Sequence, residues 1–198
     1  MAKRRFLQTA ALLAMAFALG RLARAQETTL AIDPEKTTVT FTLEATLHTV
    51  HGTFRLKSGV IQFNPATGTA SGAVVVDATS GETGNSRRDR NMHKDVLQSE
   101  RYPEITFTPT RVTGSLVVQG ESSVTVEGVL RLRGVDHAVA LRFKVQTSDA
   151  ELRAATQFAV PYVAWGLKNP SSFFLHVAEK VEVSIAAEGK LTSAAAQR

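Results

Sequence analysis

The sequence predicts an all-β, antiparallel fold, either a sandwich or a closed barrel, and two observations carry that expectation. Apolar and polar residues alternate in one run after another, and clusters of turn-forming residues separate the runs. Composition offers no competing class. Of 198 residues, 43% are hydrophobic and 21% charged, which excludes a mainly disordered chain; 13 Gly and six Pro exclude a collagen-like or Pro-rich array. The chain has no cysteine, which removes disulfides, Cys-ligated zinc, iron–sulfur clusters and thiol nucleophiles. One domain of this length buries enough apolar surface to hold itself together.

The first element is a leader over residues 1–25. Lys3, Arg4 and Arg5 precede an apolar run from Phe6 to Leu19, and Ala23-Arg24-Ala25 sets small residues where a signal peptidase cuts, before Gln26. That run is too short for a helix across a bilayer, which needs about 20 residues. Lys3-Arg4-Arg5-Phe6-Leu7-Gln8 resembles a twin-arginine signal with Lys at its first position, and the general secretory route fits the leader as well. Either route ends in a bacterial periplasm or outside the cell. The leader also explains the charge. It carries five of the 23 basic side chains and no acid, so 18 basic and 18 acidic side chains remain in the rest of the chain. The net +5 is therefore no sign of a nucleic-acid partner.

After the leader the period is two. Val39, Phe41, Leu43, Ala45 and Leu47 alternate with Thr38, Thr40, Thr42, Glu44 and Thr46, as on a strand with one apolar face. The pattern returns at Leu116 and Val118, and from Val124 through Val126, Gly128, Leu130 and Leu132. It returns again over Val139 to Val145, Leu152 to Val160, and Val181 to Ala187. Asn64-Pro65-Ala66-Thr67-Gly68, Thr113-Gly114, Gln119-Gly120-Glu121 and Gly134-Val135-Asp136 mark the turns. Residues 192–198 read as a flexible tail, so the domain spans 26–191.

One segment departs from this pattern. Residues 85–98 are charged and lack Gly and Pro. Ser86-Arg87-Arg88-Asp89 has capping-box spacing, with Ser86 as N-cap and Asp89 reaching back. Met92 and Val96, four apart, give a short amphipathic helix one apolar stripe, and Tyr102-Pro103 ends it. Such a helix between strands of a barrel closes one end.

These residues, in this order, resemble the YceI-like family, the polyisoprenoid-binding, lipocalin-like exported proteins of bacteria. The resemblance runs from Ala31-Ile32-Asp33-Pro34 and Val39-Thr40-Phe41 to His48-Thr49-Val50-His51-Gly52-Thr53-Phe54. It continues through Thr83-Gly84-Asn85-Ser86-Arg87-Arg88-Asp89, Met92-His93-Lys94 and Tyr102-Pro103-Glu104-Ile105-Thr106-Phe107, then Gly128-Val129-Leu130 and Gly134-Val135-Asp136-His137. It covers about residues 28 to 190. Arg133 stands where the family often has His, and the segment from Val160 to Pro170 departs from the commoner members.

The resemblance implies an antiparallel eight-stranded lipocalin-like barrel, with the short helix near one end, around an elongated apolar cavity that takes a long isoprenoid or another amphiphilic lipid. Eight strands leave room for packed side chains or for one small ligand. Phe41, Leu43, Phe54, Phe63, Phe107, Val126, Leu130, Leu141, Phe143 and Phe158 are the expected lining, with Trp165, the single Trp, closing the cavity or packing. Alternation alone fits a barrel filled by these same side chains equally well, and in that case the chain would be an interaction or structural protein of the envelope.

Arg87, Arg88, Arg90 and Lys94 form the densest basic cluster, a candidate head-group site at the mouth or a solvated helix face. Arg87, Arg88, His93 and His48 are the head-group candidates. His48 and His51 have His-x-x-His spacing, but on a strand residues three apart face opposite sides, so a surface role outweighs a metal. His93 is four residues from Asp89, as in an ordinary helix pair; His137 falls in an expected hairpin turn and His176 in an expected barrel run. No nucleophile elbow, phosphate loop or dinucleotide fingerprint occurs. The reading is a binding protein, with no enzyme activity, no metal and no cofactor other than a bound lipid. A metal-dependent hydrolase ranks well behind. A lipid is the expected partner, with no stable membrane span, and a homodimer stays open.

Overall fold

The computed structural model of the chain describes residues 27–46, 48–173 and 175–193. The leader 1–25, Leu47 of the first alternating run and residues 194–198 of the expected tail lie outside them. Nine strands follow in order: β1 (Thr28–Ile32), β2 (Thr38–Ala45), β3 (His48–Phe63), β4 (Ala70–Glu82), β5 (Glu104–Gly114), β6 (Gly120–Leu132), β7 (Val135–Ser148), β8 (Glu151–Val160) and β9 (Val181–Ser193). Every pairing is antiparallel, and the sheet closes on itself through β3 and β4. β1 and β2 occupy a single position in the wall. β1 lies between Val60–Phe63 of β3 and Gly189–Ser193 of β9, and β2 lies between the opposite halves of the same two strands. A 3-10 turn, Pro34–Lys36, joins them, with the Asp33 carboxylate accepting from the Glu35 N–H at 3.0 Å. The wall is thus a closed barrel of eight strand positions, as expected.

Alternation sorts the side chains. Along β7, Leu141, Val145 and Thr147 are buried, while Arg142, Lys144 and Gln146 are exposed. This polar-out, apolar-in order is the reverse of a barrel wall facing lipid. No helix among the described residues is long and apolar enough to cross a membrane. The turns carry the signals they need. Asn64 Oδ1 accepts from the N–H groups of Ala66 and Thr67, and Arg133 and Gly134 both have positive φ, as a two-residue hairpin between β6 and β7 requires.

The two ends of the barrel differ. Short turns at 64–69, 115–119 and 149–150 close one of them. Both long connections, 83–103 and 161–180, and the β2–β3 hairpin lie at the other.

Several expectations need correction. Leu116 and Val118 belong to the turn after β5, where Leu116 packs inward on the core and Val118 is exposed. Thr192 and Ser193 are part of β9 because β1 pairs with them, so the domain runs two residues further than expected. His176 sits in the 161–180 connection, exposed, and not in a barrel strand. The helix α1 (Ser86–Asn91) has Asn85 as its N-cap, one residue before the expected Ser86, with Asn85 Oδ1 accepting from the Arg87 and Arg88 N–H groups at 3.1 Å each. Asp89 turns instead to Thr83, accepting from its N–H at 3.0 Å and from its hydroxyl. The helix ends before Tyr102-Pro103. It widens into a π turn over Met92–Leu97 and stops at Gln98, whose φ of 51° is left-handed.

Candidate ligand-binding site

The barrel is hollow. At the end carrying the long connections it holds a chamber of about 460 Å³, the size of an ordinary small-molecule site. Its wall is built from Phe41 and Leu43 of β2, Val50 and Phe54 of β3, Leu132 of β6, Val160 of β8 and Val183 of β9. Met92, Val96 and Leu97 of the π turn cover one side of the mouth, and Leu167, Pro170, Leu175 and Val177 of the 161–180 connection cover the other. Lys168 and Asp95, 3.5 Å apart, tie these two covers together.

Two small residues let the aromatic rings sit close to the wall. Gly52 faces Phe41 across the β2–β3 ladder, and a Cβ there would collide with that ring. Gly81 leaves the matching space for Phe54 and Met92. The Phe41 and Phe54 rings then meet at 5.3 Å, tilted by 39°.

A second, smaller cavity of about 160 Å³ fills the closed end. Phe63, Phe107, Val126, Leu141, Phe143, Val145 and Leu152 line it. Six residues border both spaces: Val39, Val76, Ile105, Leu130, Phe158 and Ile185, one each from β2, β4, β5, β6, β8 and β9. Register brings them to one level, since Val39 pairs with Ile185 and Val76 with Ile105. They form an apolar waist between the mouth chamber and the inner chamber.

Polar groups gather at the mouth. Thr83, Asn85, Arg87, Arg88, Asn91 and His48 all border it. Arg88 is committed to the fold. Its Nε donates to Thr83 Oγ1 at 2.7 Å and its Nη2 to the Thr83 carbonyl at 2.9 Å, while Thr83 in turn holds Asp89. Arg87 is exposed, and its guanidinium makes no ion pair or hydrogen bond with a described residue. Of the expected basic cluster, Arg90 and Lys94 are exposed and border neither chamber. Tyr162 lines the mouth chamber from the wall side, donating its hydroxyl to the Ala178 carbonyl at 2.7 Å. Its burial, with Glu179 nearby, pushes the phenol pKa up.

A sequence model described as the YceI-like domain matches residues 30–189. The chain belongs to the YceI-like family. Solved structures agree on the fold. BcnA of Burkholderia cenocepacia superposes with a TM-score of 0.65 at 18% identity, over 79% of this chain and 98% of that one. A polyisoprenoid-binding domain from Saccharophagus degradans gives 0.64 at 17%, over 82% and 98%. A YceI protein of Campylobacter jejuni gives 0.58 at 19%, over 73% and 86%. No protein of curated function matches.

Within this YceI-like barrel, all ten expected wall residues from Phe41 to Phe158 line one chamber or the other, and Arg87, Arg88 and His48 border the mouth. Two expected site residues do not. His93 spans Ser99 Oγ, at 2.9 Å from Nδ1, and the Gly81 carbonyl, at 2.8 Å from Nε2, so it pins the π turn to β4 and makes no pair with Asp89. Trp165 lines neither chamber; it packs into the wall between the two core clusters. His51 faces away from the cavity toward Thr42, with Nδ1 3.2 Å from its hydroxyl, and His137 lies in β7 and not in the turn. Among the described residues no three His, Asp or Glu side chains converge as metal ligands. Sequence reasoning missed Tyr162, Leu167, Pro170, Leu175 and Val177, because an irregular connection has no periodicity to betray which residues turn inward.

Proposed function

We propose that this chain is an exported, non-catalytic binding or carrier protein for an amphiphilic lipid of isoprenoid type, such as a quinone or a polyprenyl compound, working in the periplasm or outside the cell. One observation carries the reading: an apolar interior of about 460 Å³ whose polar groups are confined to one open end. Such a space stays dry and favours apolar occupants. Burying a tail there gains about 25 cal/mol per Å² of apolar surface, so affinity needs few polar contacts. The head would rest at the mouth beside Arg87 and His48. A polyisoprenoid-binding neighbour of the same fold and the leader at residues 1–25 support the ligand class and the location. A chamber of this size also weighs against the filled-barrel alternative.

Native mass spectrometry of the chain from Gln26 onward, purified from a bacterial periplasm, tests this when paired with analysis of its organic extract. A uniform added mass matching an isoprenoid or acyl lipid is expected. A bare protein that also fails to take up quinones or polyprenols overturns the reading. The same spectrum reads whether a homodimer forms.

A further inference from the structure

We infer that the two chambers are consecutive subsites for a single hydrocarbon chain, and that the waist between them makes the protein select amphiphiles by tail length. The inference rests on the lipid-binding reading and specifies its ligand: one polar head and one tail long enough to cross the waist.

The argument starts from where polarity is absent. The side chains that point into the inner chamber are aliphatic or aromatic except for Thr37; Glu188, at its edge, pairs with Arg153 at 3.0 Å. A polar head there would lose its hydration with nothing to replace it, so the tail must enter first and the head must stay at the mouth. A turn covers the far end of the inner chamber. Leu116 lines its floor, and Thr147 closes the turn beneath by donating its hydroxyl to the Val117 carbonyl at 2.6 Å.

Size then restricts the tail. The inner chamber, about 160 Å³, is roughly a third of the mouth chamber and takes the end of one chain, not two. Val39, Val76, Ile105, Leu130, Phe158 and Ile185 must let that chain pass. Short tails end in the mouth chamber and leave the inner one empty. Longer tails bury additional carbons beyond the waist, each gaining about fourfold in affinity, the equivalent of 0.8 kcal/mol per methylene. The small volume of the inner chamber sets the upper limit.

Titration calorimetry of the mature chain with geraniol, farnesol, geranylgeraniol and solanesol measures the length dependence. Two variants locate it: Ile185→Phe narrows the waist, and Ala154→Phe fills the inner chamber alone. The wild type should gain affinity along the series past the tail that fills the mouth chamber. Ala154→Phe should keep geraniol and farnesol within about twofold, and both variants should lose at least about tenfold more on the longer alcohols than on the short ones. Retained binding of the short alcohols shows that a variant is folded. A wild-type series that levels off where the variants do, or variants that weaken short and long tails alike, overturns the length selection. Failure of the wild type to bind any of the four would instead overturn the lipid-binding reading beneath it.

Discussion

The imidazole of His137 lies flat on the indole of Trp165, with ring centroids 3.9 Å apart and planes within 6°. The pair fills a split in the barrel wall. β7 and β8 pair only between Lys144–Ser148 and Glu151–Ala155; beyond that they diverge, joined through the Thr156 hydroxyl on the Arg142 carbonyl at 2.7 Å. Trp165, arriving from the 161–180 connection, plugs the gap. The stack also leaves the buried His137 Nε2 without a hydrogen-bond partner. Trp165→Ala should therefore destabilise by about 2–4 kcal/mol, near the lower end for an aromatic truncation because the ring is only half buried. His137→Phe keeps the stack and removes the orphaned nitrogen, so it should be neutral or stabilising by up to about 1 kcal/mol. Urea denaturation measures both. A His137→Phe protein as weakened as His137→Ala would show that the imidazole nitrogens, and not the stacked plane, hold the seam.

Arg87 and Arg88 are neighbours in sequence and opposites in role. Arg88 locks Thr83 from two sides, so Arg88→Ala should cost about 1.5–3 kcal/mol, the range for hydrogen bonds to a charged group. Arg87→Ala should stay within about 0.5 kcal/mol of the wild type in stability. It should instead weaken a fatty acid more than the matching fatty alcohol, because only the acid presents a negative head to the guanidinium. Thermal melts and paired titrations read both effects. Equal loss of stability in the two variants would remove this division of labour.

The strands were legible because burial on one face of a sheet writes itself as a period of two, and no helix shares that period. The residues from Phe41 to Phe158 line the interior for the same reason. What alternation could not show is which inward residues share a level. The waist depends on register, such as Val39 opposite Ile185, and register is a property of two strands, not of one. Trp165 was misplaced for a related reason, since its position depends on where β7 and β8 part. His93 was read from helical spacing, yet its partners Gly81 and Ser99 come from β4 and from the chain just past the π turn, where a regular i, i+4 geometry no longer holds.

The start of the helix distinguishes two adjacent candidates sharply. Asn85 supplies the capping oxygen to both first-turn N–H groups, and Ser86 is already the first helical residue. Asn85→Ala should cost about 1 kcal/mol, while Ser86→Ala should change stability by less than about 0.5 kcal/mol. Denaturant midpoints decide between them. A larger loss at Ser86 would return the cap to the position that sequence spacing suggests.

Tyr162 makes the fold sensitive to alkaline pH in a direction that can be worked out. Burial raises its phenol pKa above the ordinary value, with Glu179 adding to the shift, so the folded state prefers the neutral phenol that donates to Ala178. Its contribution is fully present below the unfolded-state pKa of about 10. Above that value the unfolded chain releases the proton first, and stability falls as pH rises through the folded pKa. At pH 7, Tyr162→Phe should be weaker than the wild type by about 1 kcal/mol, the net value of one hydrogen bond. Above about pH 10 the difference should shrink, because only the wild type has this group to titrate. Urea melts of both proteins at neutral pH and across the alkaline range measure the gap. A gap that stays constant would mean that the phenol titrates alike in the folded and unfolded chains, and that burial at the cavity wall does not protect it.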